Sequence, residues 1–191
     1  MLFGDPSLKA LADAANAAVR SLANFNWTFI AIFAFVVMIY VDEIHKKNYK
    51  AIAAALMLYS VHWLYEIANA VICHFSGYAL WTVSPESTSF ILLIGVSWEL
   101  SMMFAIAGFT SKLLPADKNL KILGMNNRVA FAIGSAFFFS LVEIFLAWTP
   151  AFIWVYPWWG ALPVFVTTYI PFFLASYLID DKEPATQKKW I

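Results

Sequence analysis

The chain reads as an all-α polytopic membrane protein, one helix bundle with about five transmembrane helices and an N-terminal amphipathic helix. Three observations predict this. Of its 191 residues, 62% are hydrophobic and 13% charged, against about 45–50% and 25% in an ordinary soluble domain. Five apolar segments are long enough to cross about 30 Å of hydrocarbon as helices. The loops between them alternate between basic and non-basic, the pattern of the positive-inside rule.

The N-terminus, MLFGDPSLKALADAANAAV, carries Asp5 and Asp13 and lacks a basic start before a compact apolar stretch. It is not expected to be a cleaved signal peptide. Residues 6–23 begin with Pro6, suited to a first helical position. Leu8, Leu11, Ala12, Ala15, Val19 and Leu22 recur at helical spacing. An amphipathic helix on the outer membrane surface is expected there.

The five spans follow at 24–41, 50–73, 88–110, 128–148 and 161–179. They are expected as helices because lipid offers the backbone no hydrogen-bond partner. Their continuous apolar runs do not alternate with period two as barrel strands do. Loop 42–50 carries Lys46, Lys47 and Lys50. Loop 111–128 carries Lys112, Lys118, Lys121 and Arg128, and the C-terminal tail carries Lys182, Lys188 and Lys189. Loops 74–87 and 149–160 carry no Lys or Arg. The expected topology is N-terminus outside and C-terminus inside. Loop 149–160 holds Trp154, Tyr156, Trp158 and Trp159. It reads as an interfacial aromatic belt or as a lid over an outward-facing pocket. Pro171 inside the fifth span should bend it and free backbone carbonyls. Gly95 and Gly134 are candidate points of close helix approach.

A formal net charge of +0 gives no basis for nucleic-acid binding. Cys73, the single cysteine, excludes an intrachain disulfide. The expected partners are a lipid-soluble small molecule, membrane lipids and other membrane-protein subunits.

Function is sought among ionisable residues inside the apolar segments: His62, Glu66, Glu99 and Glu143. A charged side chain at the bilayer centre costs about 2.5 kcal/mol or more, so such residues face a cavity, a partner or a proton path. The Lys and Arg residues lie at or beyond the segment ends. The glutamates are therefore expected to be protonated, hydrogen-bonded to His62 or bound to a cation. Tyr59, His62, Glu66 and Asn69 recur at three- and four-residue steps, one helix face. For Tyr59 and Asn69 this reads as helix–helix hydrogen bonding or substrate contact. Glu66 and Glu143 should lie in the outer third of the membrane, with Glu99 and His62 nearer the midplane. All four are expected to converge on one cavity, with Ser140 beside Glu143 and Tyr169 in reach.

Three chemistries fit this set. A protonated glutamate can act as a general acid, with a second carboxylate or His62 taking the proton back. Trp63, Tyr65 and Trp98 would then stabilise a carbocation through their π-faces. A mononuclear metal site is the second, since one histidine in a His-x-x-x-Glu spacing does not match di-iron helices. Proton or cation transport is the third, without a visible two-fold repeat.

The stretch from Tyr49 onward, within NYKAIAAALMLYSVHWLYEIANAVI, resembles a region of the integral-membrane terpene cyclases of meroterpenoid and indole-diterpene pathways. The likeness covers about an eighth of the chain, a basic turn followed by a span with the aromatic–Glu–Ile run Tyr65–Glu66–Ile67. It implies that Glu66 protonates an isoprenoid epoxide or alkene. His62 stands where that family has Asn, its spans usually number seven, and its late acid has no counterpart here. TTYIPFFL (167–174) also looks like the last span of the sterol-isomerase and sigma-2-receptor group, which has four spans.

The expectation is a membrane enzyme catalysing acid-initiated cyclisation or isomerisation of a lipid-soluble isoprenoid. Glu66 is the expected acid, His62 its tuner, and Glu99 or Glu143 the returning base. Tyr59, Trp63, Tyr65, Asn69, Trp98 and Tyr169 are the expected substrate contacts. This reading calls for no metal and no cofactor. The alternatives are a non-catalytic subunit of a membrane complex and a sterol- or lipid-binding membrane protein.

Overall fold

The computed structural model describes residues 4–23 and 25–191. Asn24, the expected start of the first span, lies outside the described residues. Asp5 accepts from the Ser7 amide at 2.8 Å and opens a short 3-10 turn. It leads into α1, Lys9–Ala17. This helix is shorter than the predicted 6–23, because Arg20 takes φ 59 and its amide donates to Ile91 O. Its Ala12 and Ala15 face is buried against Trp81, Val83 and Ile91.

Among the described residues, four helical stretches are long and apolar enough to cross a membrane. The first is α2, Trp27–His45, capped by Asn26 Oδ1 accepting from the Thr28 amide at 2.9 Å. Next comes α3, Tyr49–Ser76, whose 28 residues extend ~42 Å at 1.5 Å per residue. The third is α5, Asn127–Ala147. The fourth comprises α6 (Ala161–Val164), a π-helical turn (Phe165–Tyr169) and α7 (Ile170–Asp180). A final short helix, α8, is Pro184–Trp190.

The predicted span 88–110 is helical only from Trp98. Helix α4, Trp98–Ala107, continues as a 3-10 stretch through Leu113. Together they extend ~27 Å, enough to approach the hydrocarbon thickness. The residues before them form a hairpin, β2 (Ile91–Leu93) with β3 (Val96–Ser97). Ser97 Oγ accepts from the Leu100 amide and fixes the helix start. Glu99 folds back onto the preceding turn, accepting from the Thr88 hydroxyl and from the Ser89 amide and hydroxyl.

Helix neighbours run α2–α4–α3–α7–α5. The central core holds Leu58, Phe104, Phe172, Phe173 and Tyr177, filled in by Ala132 and Ala136. Phe33, Phe35 and Met38 of α2 and Phe137, Phe138 and Phe145 of α5 face outward, as lipid-facing positions should. Gly108, where α4 passes into its 3-10 stretch, lies close against α3. A Cβ there would lie 2.5 Å from Ala55 Cα and 2.6 Å from the Ala54 carbonyl oxygen. A Cβ on Gly134 would meet nothing within 4 Å, so Gly134 is not the close-approach point the sequence suggests.

The two ends of the bundle differ. At the cap end, β1 (Trp81–Thr82) pairs with β6 (Ile153–Trp154) and closes the helices off. The basic end carries β4 (Lys121–Ile122) with β5 (Met125–Asn126) and is clasped by ion pairs. Buried Glu43 takes Lys112 and accepts from Asn48, tying α2 to the end of α4. Arg128 donates to both oxygens of Asp181 at 2.8 Å and to the Pro115 carbonyl, and Lys118 adds a contact to Asp181 at 3.3 Å.

Partial burial pushes Asp181 up, but the Arg128 guanidinium and the Lys118 ammonium outweigh it and hold Asp181 below its ordinary range. A depressed folded-state pKa stabilises the fold above the unfolded aspartate value, about 3.9. That contribution is lost as pH falls through the folded value. Asp181→Asn should therefore lower the melting temperature in detergent at neutral pH, with a shallower loss on acidification than wild type. Parallel melting-temperature curves for the two proteins across the acid range would refute this role for the clasp.

Candidate functional site

The polar face of α3 divides by function. At one end the Tyr59 hydroxyl hydrogen-bonds Ser101 Oγ at 2.9 Å. At the other, Asn69 donates to Trp81 O at 2.9 Å and accepts from the Leu80 amide at 2.7 Å. Both ends hold the fold together. The middle pair, His62 and Glu66, lines a buried cavity of about 40 Å³, room for roughly two or three water-sized groups.

Several elements supply the cavity, among them β1 with Trp81, α4 with Phe104 and α7 with Phe172. Helix α3 contributes His62, Tyr65 and Glu66. Helix α5 contributes Glu143. The π-helical turn contributes Thr168 and Tyr169, and the 149–160 loop contributes Phe152 and Trp159. The loop thus lines the pocket through Phe152 and Trp159. Its Trp154 indole also donates to Glu143 at 2.7 Å.

Pro171 explains the local shape. Lacking an N–H, it cannot bond the carbonyl four residues earlier, which belongs to Thr167. The Tyr65 hydroxyl donates to that freed carbonyl at 2.6 Å. The π-helical turn sits immediately before the proline, and such turns recur at functional sites. Thr168 and Tyr169, at its end, line the cavity.

The two carboxyl groups are held by uncharged donors. The Trp81 indole donates to Glu66 at 3.2 Å and 3.3 Å. Glu143 accepts from the Tyr169 hydroxyl as well as from Trp154. Ser140, the expected neighbour of Glu143, does not bond it, and Ser140 Oγ has no partner among the described residues. His62 Nδ1 stands 3.7 Å from Glu66 Oε1, beyond a hydrogen bond. The His62 ring stacks on Phe104 with centroids 4.2 Å apart. No Lys or Arg is among the cavity-lining residues.

Three buried polar atoms of cavity-lining residues have no partner among the described residues: His62 Nε2, Thr168 Oγ1 and Trp159 Nε1. Leaving such a group unpaired costs about 1–3 kcal/mol. Buried polar groups of this kind normally meet water or a ligand.

Of the expected site residues, His62, Glu66, Glu143, Tyr65 and Tyr169 meet at this cavity. Glu99 does not, being engaged with Thr88 and Ser89. Trp98 stacks on Phe29 at 3.9 Å and donates to its carbonyl, away from the cavity. Trp63 packs on Tyr59 and His62 without lining it. Sequence reasoning missed Trp81, whose only signal was its place in a non-basic loop. It also missed Phe104 and Phe172, indistinguishable from other apolar residues. Among the described residues, no group of three or more His, Cys, Asp or Glu side chains is placed to hold a metal ion.

A protein of Archaeoglobus fulgidus described as "Uncharacterized protein" is 41% identical over 176 residues, covering 90% of this chain and 83% of that relative. No solved structure matches the chain. A family model described as "Uncharacterized membrane protein family" matches residues 9–191, and with nearly its whole length matched the chain belongs to that family of membrane proteins.

Proposed function

We propose that the protein is a membrane enzyme that transfers a proton to a lipid-soluble isoprenoid, initiating its isomerisation or cyclisation. The observation that carries the reading is the pairing of Glu66 and Glu143 at one aromatic-walled cavity without a lining cation. Two full negative charges in such a site would repel strongly, which favours one of the two carrying a proton. The Glu66 O–H adds its proton to the alkene or epoxide, leaving positive charge on a neighbouring carbon. The Glu143 carboxylate then removes a proton from an adjacent carbon, and a new double bond forms. The proton passes back to Glu66 before the next turnover. The faces of Trp81, Trp159, Phe104 and Phe172 stabilise the cation. His62 tunes Glu66 through space, since no hydrogen bond joins them.

The cavity volume limits what enters. It takes the reacting end of the molecule, and the hydrocarbon tail stays among the helices or in lipid. Tyr65, half-buried, lining the cavity and bonded to the Thr167 carbonyl, is the natural edge of the route.

Orientation follows from the charges: the cap end and α1 lie outside, and the basic end lies inside. Single cysteines at Ser87 and Lys118, in a Cys73→Ser background, should label from opposite sides of sealed vesicles. Equal labelling of both from one side contradicts that orientation.

The functional test is product formation from a neutral isoprenoid pool by the purified protein, with its metal content measured in parallel. An inert, metal-free protein overturns the enzyme reading and leaves a non-catalytic subunit or a lipid-binding protein.

A further inference from the structure

The unpartnered atoms around the cavity constrain what it binds. Taking the cavity as a ligand site, as above, we infer that its ligand carries one uncharged oxygen, a hydroxyl or carbonyl, held by Trp159 and Thr168 with His62 beside them.

An indole N–H only donates, so the group that satisfies Trp159 must contain an acceptor. A pure hydrocarbon has none. An ammonium group has none either, although the two carboxyl groups and the rings would otherwise suit it. A phosphate or carboxylate would accept, but it would join Glu66 and Glu143 in a cavity that no Lys or Arg lines, and like charges in low dielectric oppose one another. A neutral oxygen meets every requirement. It accepts from Trp159 Nε1. Thr168 Oγ1 either donates to it or accepts from it, and His62 Nε2 completes the set in whichever tautomer the ligand requires. The cavity, about 40 Å³, is the size of one such end group. A site built to hydrogen-bond an oxygen also rejects the analogue that lacks it, because its own polar atoms are then left unpaired.

The experiment is equilibrium binding of radiolabelled farnesol to the full chain in nanodiscs. Competitors are unlabelled farnesol, farnesene, which has the same skeleton without the oxygen, and farnesyl phosphate. Farnesol is expected to bind, with both other compounds at least about tenfold weaker. Trp159→Phe should weaken farnesol about tenfold, the loss of one hydrogen bond, and leave farnesene unchanged. Thr168→Val should do the same and Thr168→Ser should restore binding, which keeps the test intact if Trp159→Phe does not fold. Equal competition by farnesene, no binding of farnesol, or indifference to both substitutions overturns the inference and assigns these atoms to water. Tighter binding of farnesyl phosphate overturns it in favour of an anionic ligand. Selective farnesol binding without product formation would end the catalytic reading and leave this inference standing. Product formation from farnesene at the farnesol rate would do the reverse.

Discussion

Glu66→Gln is expected to abolish product formation while the protein still folds. The substitution keeps the volume of the side chain and an oxygen for the Trp81 indole, so the wall of the cavity survives. What it removes is the transferable proton. General acid–base groups contribute about 10²–10⁴-fold to rate, and a loss of that size is expected in kcat with a smaller effect on KM. Glu143→Gln should also impair turnover, because the amide cannot take a proton back. Its donors Tyr169 and Trp154 would still find one oxygen, so the fold should persist there too. A bound metal ion would behave differently. Either substitution would then release the ion, since an amide replaces a carboxylate ligand poorly. Turnover, metal content and melting temperature measured together separate these cases. Full activity in both glutamine variants would sink the proton-transfer mechanism.

The parts of this molecule that were legible in the sequence are those written in hydropathy and charge. The Lys-bearing loops at 42–50 and 111–128 announced the basic end. The stripe Tyr59–His62–Glu66–Asn69 announced an inward face of α3, because helical spacing alone puts those residues together. Pro171 announced an interruption, and the freed carbonyl of Thr167 has its donor in Tyr65. Other parts depended on contacts far apart in the chain. Hydropathy does not separate a short helix from a hairpin in an apolar run. TSFILLIGV therefore read as the start of a span, whereas Ile91–Leu93 form β2, Ile94 and Gly95 the turn, and Val96 opens β3. The fate of Glu99 followed from that error: once residues 88–97 turn back at the cap end, Thr88 and Ser89 come within reach of its carboxylate. Trp81 and Trp154 meet the glutamates only because β1 pairs with β6 across 70 residues of sequence. Glu43, within the segment 42–50 that the sequence marks only by its lysines, is buried because the 3-10 stretch after α4 delivers Lys112 to it.

Gly108→Val should be the most destabilising single substitution at the helix interfaces. The added Cβ would fall 2.5 Å from a backbone atom of α3, and a backbone cannot rotate aside as a side chain can. Helix α4 would have to move away from α3, opening the contacts that place Phe104 against the His62 ring. Overpacking of this kind costs about 1–3 kcal/mol, occasionally more, and the upper part of that range is expected. Gly134→Ala is the matched control. Its new methyl group meets nothing within 4 Å, and alanine favours the helix by about 0.8–1.0 kcal/mol over glycine. It should be neutral or slightly stabilising. Thermal unfolding of both variants in one detergent decides the matter. Equal melting temperatures would show that α4 and α3 are not packed backbone to backbone at Gly108, and the position of Phe104 over His62 would lose its support.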